Sequence, residues 1–150
     1  MVASKTVVEI MTAAERDFPD ILLLVKQLWP NDRFNEQKIK KVFIRSLKNR
    51  NQKFLIAKVD GDIAGFAEIQ IANSLRRQGY SSQLGELVVH EKYRGKGVGK
   101  KLLEESIKFA KSRSCKAMSL SSANFRKIAH GLYLKHGFEK RDSTLFLKRF

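Results

Sequence analysis

The sequence predicts an α+β domain of three layers, in which a mixed, mostly antiparallel sheet lies between helices. Two apolar, strand-like runs flank Asp60-Gly61-Asp62, which is a strong hairpin signal. Later in the chain, strand-like and helical patterns alternate, as they do in βαβα units. No internal repeat or low-complexity linker interrupts the sequence, so we expect one domain that spans residues 1–150.

Hydrophobic periodicity predicts the elements of the first half in order. Residues 6–11 are expected to form a first strand. A helix then follows that ends near Trp29, and a second helix with a mostly lysine outer face begins at about Asn35. Residues 54–59 and 63–71 are the two strands of the predicted hairpin.

The second half is expected to begin with a loop, because residues 74–83 are polar and rich in turn formers. After a strand and a long helix, a further strand is predicted near residues 116–120 and a helix from Asn124. A final hairpin is expected at residues 138–141 and 145–148. Such a hairpin suits pairing across a homodimer and equally suits an edge inside one subunit.

A glycine-rich turn between a strand and a helix is the most informative local feature. Residues 84–89 are apolar and β-branched, which predicts a buried strand, and helical spacing resumes at about Gly97. This arrangement directs free backbone N–H groups and a helix dipole toward one point, and glycines let a phosphate approach the backbone. We therefore expect a phosphorylated ligand at Arg94, Gly95, Lys96, Gly97, Val98, Gly99 and Lys100.

Two common phosphate-binding motifs do not fit this turn. A Walker A loop needs glycine where Arg94 stands and Ser or Thr where Lys101 stands. A dinucleotide fingerprint fails as well, because its third glycine would fall on Lys100 or Leu102. What remains is the pattern R-x-x-G-x-G, formed by Arg94, Gly97 and Gly99.

This pattern resembles the acetyl-CoA pyrophosphate loop of the GCN5-related N-acetyltransferase (GNAT) superfamily. Residues 124–138 resemble the second signature of that superfamily, in which Asn opens a helix that carries A-x-x-x-Tyr and closes at Gly-Phe. The resemblance implies a GNAT-like fold with a splayed acetyl-CoA cleft. It also implies that acetyl-CoA is held by the turn residues named above, by the backbone of Leu87, Val88 and Val89, and by Asn124.

Each of these contacts has a simpler alternative. Arg94, Lys96 and Lys100 also suit a solvated basic turn, since the backbone amides supply most of the grip on a phosphate. Asn124 is also explained by its role as a helix N-cap. No zinc-ligand spacing is present, so no metal is expected.

Transfer of an acetyl group to an amine needs a base and a proton for the departing thiolate. Glu86, a carboxylate inside an apolar strand, is the first candidate for the base because burial would raise its pKa, and Glu68 is the second. The alternative is that either one faces solvent or pairs with an arginine such as Arg76 or Arg77. The resemblance places Tyr133 where a tyrosine acts as general acid, although Tyr133 also suits a core position.

A primary amine of a small molecule is the expected acceptor, and a protein N-terminus or lysine is the alternative. The sequence is similar to the 6′-type aminoglycoside N-acetyltransferases around Trp29 and Glu68. A polycationic acceptor would be repelled by the net charge of +15 unless Glu68, Glu86, Asp32 and Glu36 form a local acidic pocket. A domain of another class, which binds acetyl-CoA or RNA without turnover, is the remaining alternative.

The amino-acid composition indicates where the protein is located and which classes of partner it binds. One cysteine excludes an intramolecular disulfide, and no apolar run is long enough for a membrane helix, so a cytoplasmic protein without a membrane partner is expected. Residues 94–150 hold 15 basic and 4 acidic residues. This excess permits a nucleic-acid partner, but recognisable nucleic-acid-binding motifs are absent, so that interpretation is the weaker one.

Overall fold

The computed structural model describes residues 5–150, which form two compact units. The first unit ends at Leu120 and the second is Ser121–Phe150. The elements of the first unit are strands and helices in the order β1 Glu9–Thr12, α1 Phe18–Leu28, α2 Glu36–Leu47, β2 Gln52–Val59, β3 Asp62–Ser74, β4 Gly79–Val89, α3 Val98–Ser112 and β5 Cys115–Ser119. The second unit contains α4, Lys127–Lys135.

The sheet is mixed, as predicted, and its spatial order is the order of the chain, β1-β2-β3-β4-β5. The first four strands pair antiparallel and β5 pairs parallel to β4. The predicted fold class is confirmed. No helix among residues 5–150 is both long enough and apolar enough to cross a membrane.

One face of the sheet packs against α1 and α2 through a row of phenylalanines. The rings of Phe18 and Phe43 are 5.3 Å apart, those of Phe43 and Phe54 are 5.5 Å apart, and those of Phe54 and Phe66 are 5.3 Å apart. All four side chains are buried. Such aromatic contacts add to the free energy gained from apolar burial and fix both helices over the sheet.

The other face of the sheet packs against α3, and Gly65 lets the helix approach β3. A Cβ atom at Gly65 would lie 2.8 Å from Leu102 Cδ1, 3.0 Å from Val98 Cγ1 and 3.0 Å from the Val88 carbonyl oxygen. The start of α3, which follows the glycine turn, is therefore seated directly on β3 and β4.

Replacing Gly65 with alanine should lower the free energy of unfolding by about 1–3 kcal/mol, because the added methyl group overpacks this contact. Urea unfolding measures the change. Gly131→Ala is the matched control, since Gly131 lies within α4 with no atom within 4 Å of its would-be Cβ, and alanine is the better helix former. A Gly65→Ala variant as stable as the wild type would show that α3 is not closely seated on β3.

Two local predictions are confirmed. The second helix begins at Glu36, next to the predicted Asn35, and the structure adds that Asn35 Oδ1 caps it by accepting a hydrogen bond from the Lys38 amide at 3.0 Å. Asp60 and Gly61 have φ of 52° and 83°, which is the conformation of a two-residue hairpin turn.

The predicted loop at residues 74–83 is wrong for most of its length. β3 runs to Ser74 and β4 begins at Gly79, so only residues 75–78 form the turn. β4 is paired on both sides here, with β3 and with β5, and the ladder overrides the polar composition.

The ends of the chain also differ from the prediction. The first strand begins at Glu9 rather than at residue 6. The final hairpin at 138–141 and 145–148 is wrong, since residues 138–150 form no strand and Leu145, Phe146 and Leu147 are exposed. A strand needs a hydrogen-bonding partner, and these residues have no ladder. The homodimer stays a prediction, now without a hairpin to support it.

Candidate active site

The glycine turn has the backbone geometry that an anion site needs. Gly95 and Gly97 have φ of 75° and 81°, and Gly97 caps α3, which begins at Val98. The first N–H groups of a helix have no partner within the helix, and the first turn of α3 contains no acidic residue. These groups fit the pyrophosphate of acetyl-CoA. The side chains of Arg94, Lys96 and Lys100 are exposed, so their phosphate contacts stay a prediction.

Tyr93 anchors the turn to the β2–β3 hairpin. Its hydroxyl donates to Asp62 Oδ2 at 2.9 Å, and this hydrogen bond to the carboxylate is the main reason that the pKa of Tyr93 is raised. The Nζ atoms of Lys92 and Lys96 each lie 5.6 Å from the centroid of the Tyr93 ring. The residue before the turn is therefore held in place by Asp62, and two lysines lie beside its ring. Sequence patterns alone did not indicate these contacts.

Within residues 5–150, no strand pairs with the second half of β4 on the side away from β3. The pairing with β5 extends from Tyr80 to Gln83 and stops there, which is the predicted splay of the sheet. The His90 amide donates to the Ala64 carbonyl oxygen of β3 at 2.7 Å. Backbone groups alternate sides along an antiparallel strand, so those of Leu87 and Val89 point away from β3.

The backbone groups of Leu87, Val88 and Val89 were predicted to hold acetyl-CoA, and these groups point in different directions. Val88 directs its N–H and C=O toward β3 by the same alternation, which leaves Leu87 and Val89. The Val89 carbonyl oxygen, however, accepts a hydrogen bond from Gln27 Nε2 at 2.9 Å, and Gln27 Oε1 accepts from the Glu91 amide at 3.3 Å. Gln27 was missed because a glutamine on a helix carries no pattern that points to a distant strand.

The two candidate carboxylates lie next to each other. Glu68 and Glu86 are direct register partners on β3 and β4, and the register shifts immediately beyond them. Gly85 is the extra residue of this bulge, and a Cβ there would lie 3.4 Å from Glu68 Oε2. Side chains of directly opposed residues share a face of the sheet, so both carboxylates lie on the side of α1 and α2.

Neutral side chains donate hydrogen bonds to both carboxylates. The indole N–H of Trp29 donates to both oxygens of Glu86, at 3.3 and 3.2 Å. Glu68 Oε1 accepts from Gln52 Nε2 at 3.3 Å and from Gln70 Nε2 at 2.9 Å. Both carboxylates are half-buried rather than buried.

One of the four carboxylates considered for an acidic pocket, Glu36, has a cationic partner. Glu36 is in an ion pair with Lys26, with Oε1 and Nζ 3.3 Å apart. Its charge is therefore compensated on the surface. The acidic character next to the β4 edge rests on Glu68 and Glu86.

The family model described as the acetyltransferase (GNAT) family matches residues 9–138. This chain belongs to the GNAT family. Among its relatives, the aminoalkylphosphonate N-acetyltransferase of Salmonella typhimurium is 25% identical over 134 residues, which are 89% of this chain and 86% of that enzyme. The predicted family is confirmed, and so is its acetyl-CoA-dependent acetyltransferase activity.

Solved structures of the same fold match this GNAT chain over nearly its whole length. A transcriptional regulator from Bacillus halodurans C-125 has a TM-score of 0.87 at 22% identity, and the match covers 95% of this chain and 100% of that one. An aminoglycoside N-acetyltransferase in complex with CoA has a TM-score of 0.82 at 20% identity and 99% coverage of both chains. At these identities the likeness shows the fold.

The second unit of the GNAT chain carries the predicted Tyr133. Its side chain is half-buried on α4, its ring lies 5.9 Å from that of Phe138, and burial raises its pKa despite an opposing effect of Arg126. A raised pKa keeps the phenol protonated, as a proton donor requires. Gly137 follows the helix with φ of 85°, which confirms the predicted end of α4.

Asn124 does not cap this helix, contrary to the prediction. The N-cap of α4 is Arg126, without a side-chain cap bond, and Asn124 lies exposed in the preceding turn. The Arg126 amide donates to the Ala123 carbonyl oxygen, so a tight turn replaces the expected first helical residues. With capping removed as its explanation, the contact of Asn124 with acetyl-CoA stays a prediction.

Proposed function

We propose that this GNAT enzyme transfers an acetyl group directly from acetyl-CoA to a primary amine of a small molecule, with both substrates bound together. The adjacent carboxylates Glu68 and Glu86, beside the unpaired edge of β4, are the observation that carries the proposal. An amine arrives as a cation at pH 7, and a pair of carboxylates attracts it within an otherwise basic protein.

Glu86 is the proposed base, acting through a water molecule. It is three residues before the end of β4, next to Leu87, whose backbone groups point away from β3. The hydrogen bond from Trp29 orients its carboxylate, and Glu68 lies directly opposite on β3. Glu68 is the alternative base.

Tyr133 is the proposed general acid. The amine cation first loses one proton toward Glu86, which frees the lone pair of its nitrogen. As this nitrogen bonds to the acetyl carbon, the carbon–sulfur bond breaks and the thiolate takes a proton from the Tyr133 hydroxyl. The nitrogen then loses its second proton, which restores the Tyr133 phenol through solvent. The raised pKa of Tyr133 supports this role, because the phenol is fully protonated at neutral pH.

A single small amine is favoured over a polycation as the acceptor. The net charge of +15 repels a polycation, and Glu36, one of the four carboxylates considered for an acidic pocket, is ion-paired with Lys26. The aminoalkylphosphonate substrate named for the Salmonella typhimurium relative combines one amine with an anionic group. An acceptor of that kind suits a basic protein with a small acidic site.

An assay that measures the release of CoA thiol from acetyl-CoA tests the proposal. The candidate acceptors are aminoalkylphosphonates, amino acids, polyamines, aminoglycosides and short peptides. Turnover with a small monoamine is the expected result. Turnover with peptides alone would overturn the proposal in favour of a protein N-terminal or lysine acetyltransferase. Tight acetyl-CoA binding without any acceptor would favour the non-catalytic alternative.

Glu86→Gln should lower kcat by about tenfold to a hundredfold, because the amide accepts the hydrogen bond of Trp29 but takes up no proton. Glu68→Gln is the matched control on the opposite strand and should raise the KM of the acceptor while kcat changes by less than about threefold. Steady-state kinetics with the best acceptor separate the two effects. The reverse pattern would assign the base to Glu68.

A further inference from the structure

A second cleft, of about 340 Å³, opens at the far end of α3 from the glycine turn. It lies where α2 and α3 end and β2 begins. Phe109 and Arg113, at the end of α3, line it, whereas the glycine turn precedes the first residue of this 15-residue helix. The two sites are thus about 20 Å apart along the helix.

Four cationic side chains line this basic cleft, and none of its lining residues is a carboxylate: the cations are Lys48, Arg50, Lys53 and Arg113. The ion pairs of the described residues 5–150 include none of the four. Since like charges at close range repel one another, an anion bound between them would lower the free energy of the folded protein.

Arg113 and Lys53 are held in place by contacts with neutral groups, which do not compensate their positive charges. Arg113 donates from Nη1 to the Arg50 carbonyl oxygen at 2.6 Å and from Nη2 to Asn51 Oδ1 at 3.0 Å. Lys53 Nζ lies 5.5 Å from the centroid of the Phe109 ring and Arg113 Cζ lies 5.9 Å from it. One ring therefore holds two positive groups near each other.

Helix ends explain part of this charge, but not all of it. Lys48 and Arg113 are the C-caps of α2 and α3, where a cation complements the negative end of the helix dipole. Arg50 and Lys53 follow α2 and lie outside any helix, so no dipole accounts for them. The positive charges of Arg50 and Lys53 are therefore not compensated by a helix dipole.

We propose that the basic cleft binds a phosphate group independently of acetyl-CoA. Guanidinium and ammonium donors match the several oxygens and the double charge of a phosphate better than those of a single carboxylate. The phosphate belongs either to a small soluble phosphate ester or polyphosphate, or to the backbone of a polynucleotide. Such a site gives a function to basic residues that acetyl-CoA binding does not require.

Calorimetric titration with tripolyphosphate, in the presence of saturating acetyl-CoA, tests the proposal. The Lys48→Gln/Lys53→Gln variant should bind at least about tenfold more weakly than the wild type, because two charged donors are lost. Lys40→Gln/Lys41→Gln is the control of equal charge on the exposed face of α2 and should bind within about twofold of the wild type. Thermal melting checks that the variants fold, and Arg50→Gln, whose backbone contacts are unchanged, repeats the test at an exposed side chain.

Equal weakening in the cleft and control variants would show a diffuse charge effect and overturn the proposal. Displacement of tripolyphosphate by acetyl-CoA would also overturn it, since the anion would then belong to the glycine turn. Fluorescence anisotropy with a single-stranded oligoribonucleotide distinguishes the two sources of phosphate. Binding that is lost in the cleft variant and falls steeply with salt assigns the polynucleotide, whereas tripolyphosphate binding alone assigns the small ester. Acetylation of the small amine is unaffected by either outcome, so this test is independent of the proposed function.

Discussion

Replacing Gly97 with valine should abolish measurable binding of acetyl-CoA. Gly97 has φ of 81°, a conformation that costs a β-branched residue roughly 1–3 kcal/mol. Relief of this strain would turn the first amides of α3 away from the pyrophosphate. An added Cβ at Gly97 meets no atom within 4 Å, so the turn itself is not sterically blocked. The side chain would instead occupy the open space through which the pyrophosphate approaches.

Equilibrium titration with acetyl-CoA measures this effect, and Gly137→Val is its control. Gly137 also has positive φ and open surroundings, so valine there imposes a comparable backbone strain. We expect both variants to melt at a lower temperature and only Gly97→Val to lose acetyl-CoA binding. Wild-type affinity in Gly97→Val would contradict the placement of the pyrophosphate at this turn.

Tyr133→Phe should lower turnover by about a hundredfold or more while acetyl-CoA affinity stays near that of the wild type, because only the proton donor is lost. Burial raises the pKa of Tyr133 above its ordinary value of 10.0, so the phenol remains protonated well into the alkaline range. Wild-type turnover should therefore persist above pH 9 and fall only as pH passes this raised pKa. The variant should lack that alkaline decline.

The pH profile of kcat and a titration with acetyl-CoA check both parts of this prediction. Tyr80→Phe is the matched control, since Tyr80 is an exposed tyrosine on β4 and its hydroxyl has no assigned role. Turnover in Tyr133→Phe equal to that of Tyr80→Phe would remove Tyr133 from the mechanism and leave it a structural residue of α4.

Features that depend on neighbours in sequence were predictable from the chain alone. The Asp60-Gly61 turn, the start of α2 next to Asn35 and the glycine turn at Gly97 each follow from a backbone conformation or a local hydrogen bond that few residue types satisfy. The proposed carboxylates, Glu68 among them, were found because a charge within an apolar strand departs from the pattern. These signals need no knowledge of the tertiary structure.

Features that depend on distant contacts were not predictable. Residues 79–83 form a strand because two partners pair with it, although their composition favours a loop. Gln27 and Trp29 reach β4 from α1 across more than fifty residues of chain, and a helix-surface glutamine or a tryptophan at a helix end gives no hint of such a contact. The terminal hairpin failed for the converse reason, since apolar residues alone do not supply a pairing partner.

Because the β4–β5 pairing ends early, acetyl-CoA bound along β4 would raise the free energy of unfolding of the protein. An unpaired strand edge is a template for association with other chains, and a ligand that lies along it takes the place of the missing strand. A ligand at a hundred times its Kd adds about 2.7 kcal/mol to the free energy of unfolding. Where acetyl-CoA is plentiful, the enzyme would resist unfolding and self-association, and where acetyl-CoA is scarce it would become vulnerable to proteolysis. Its abundance would then depend on the concentration of acetyl-CoA.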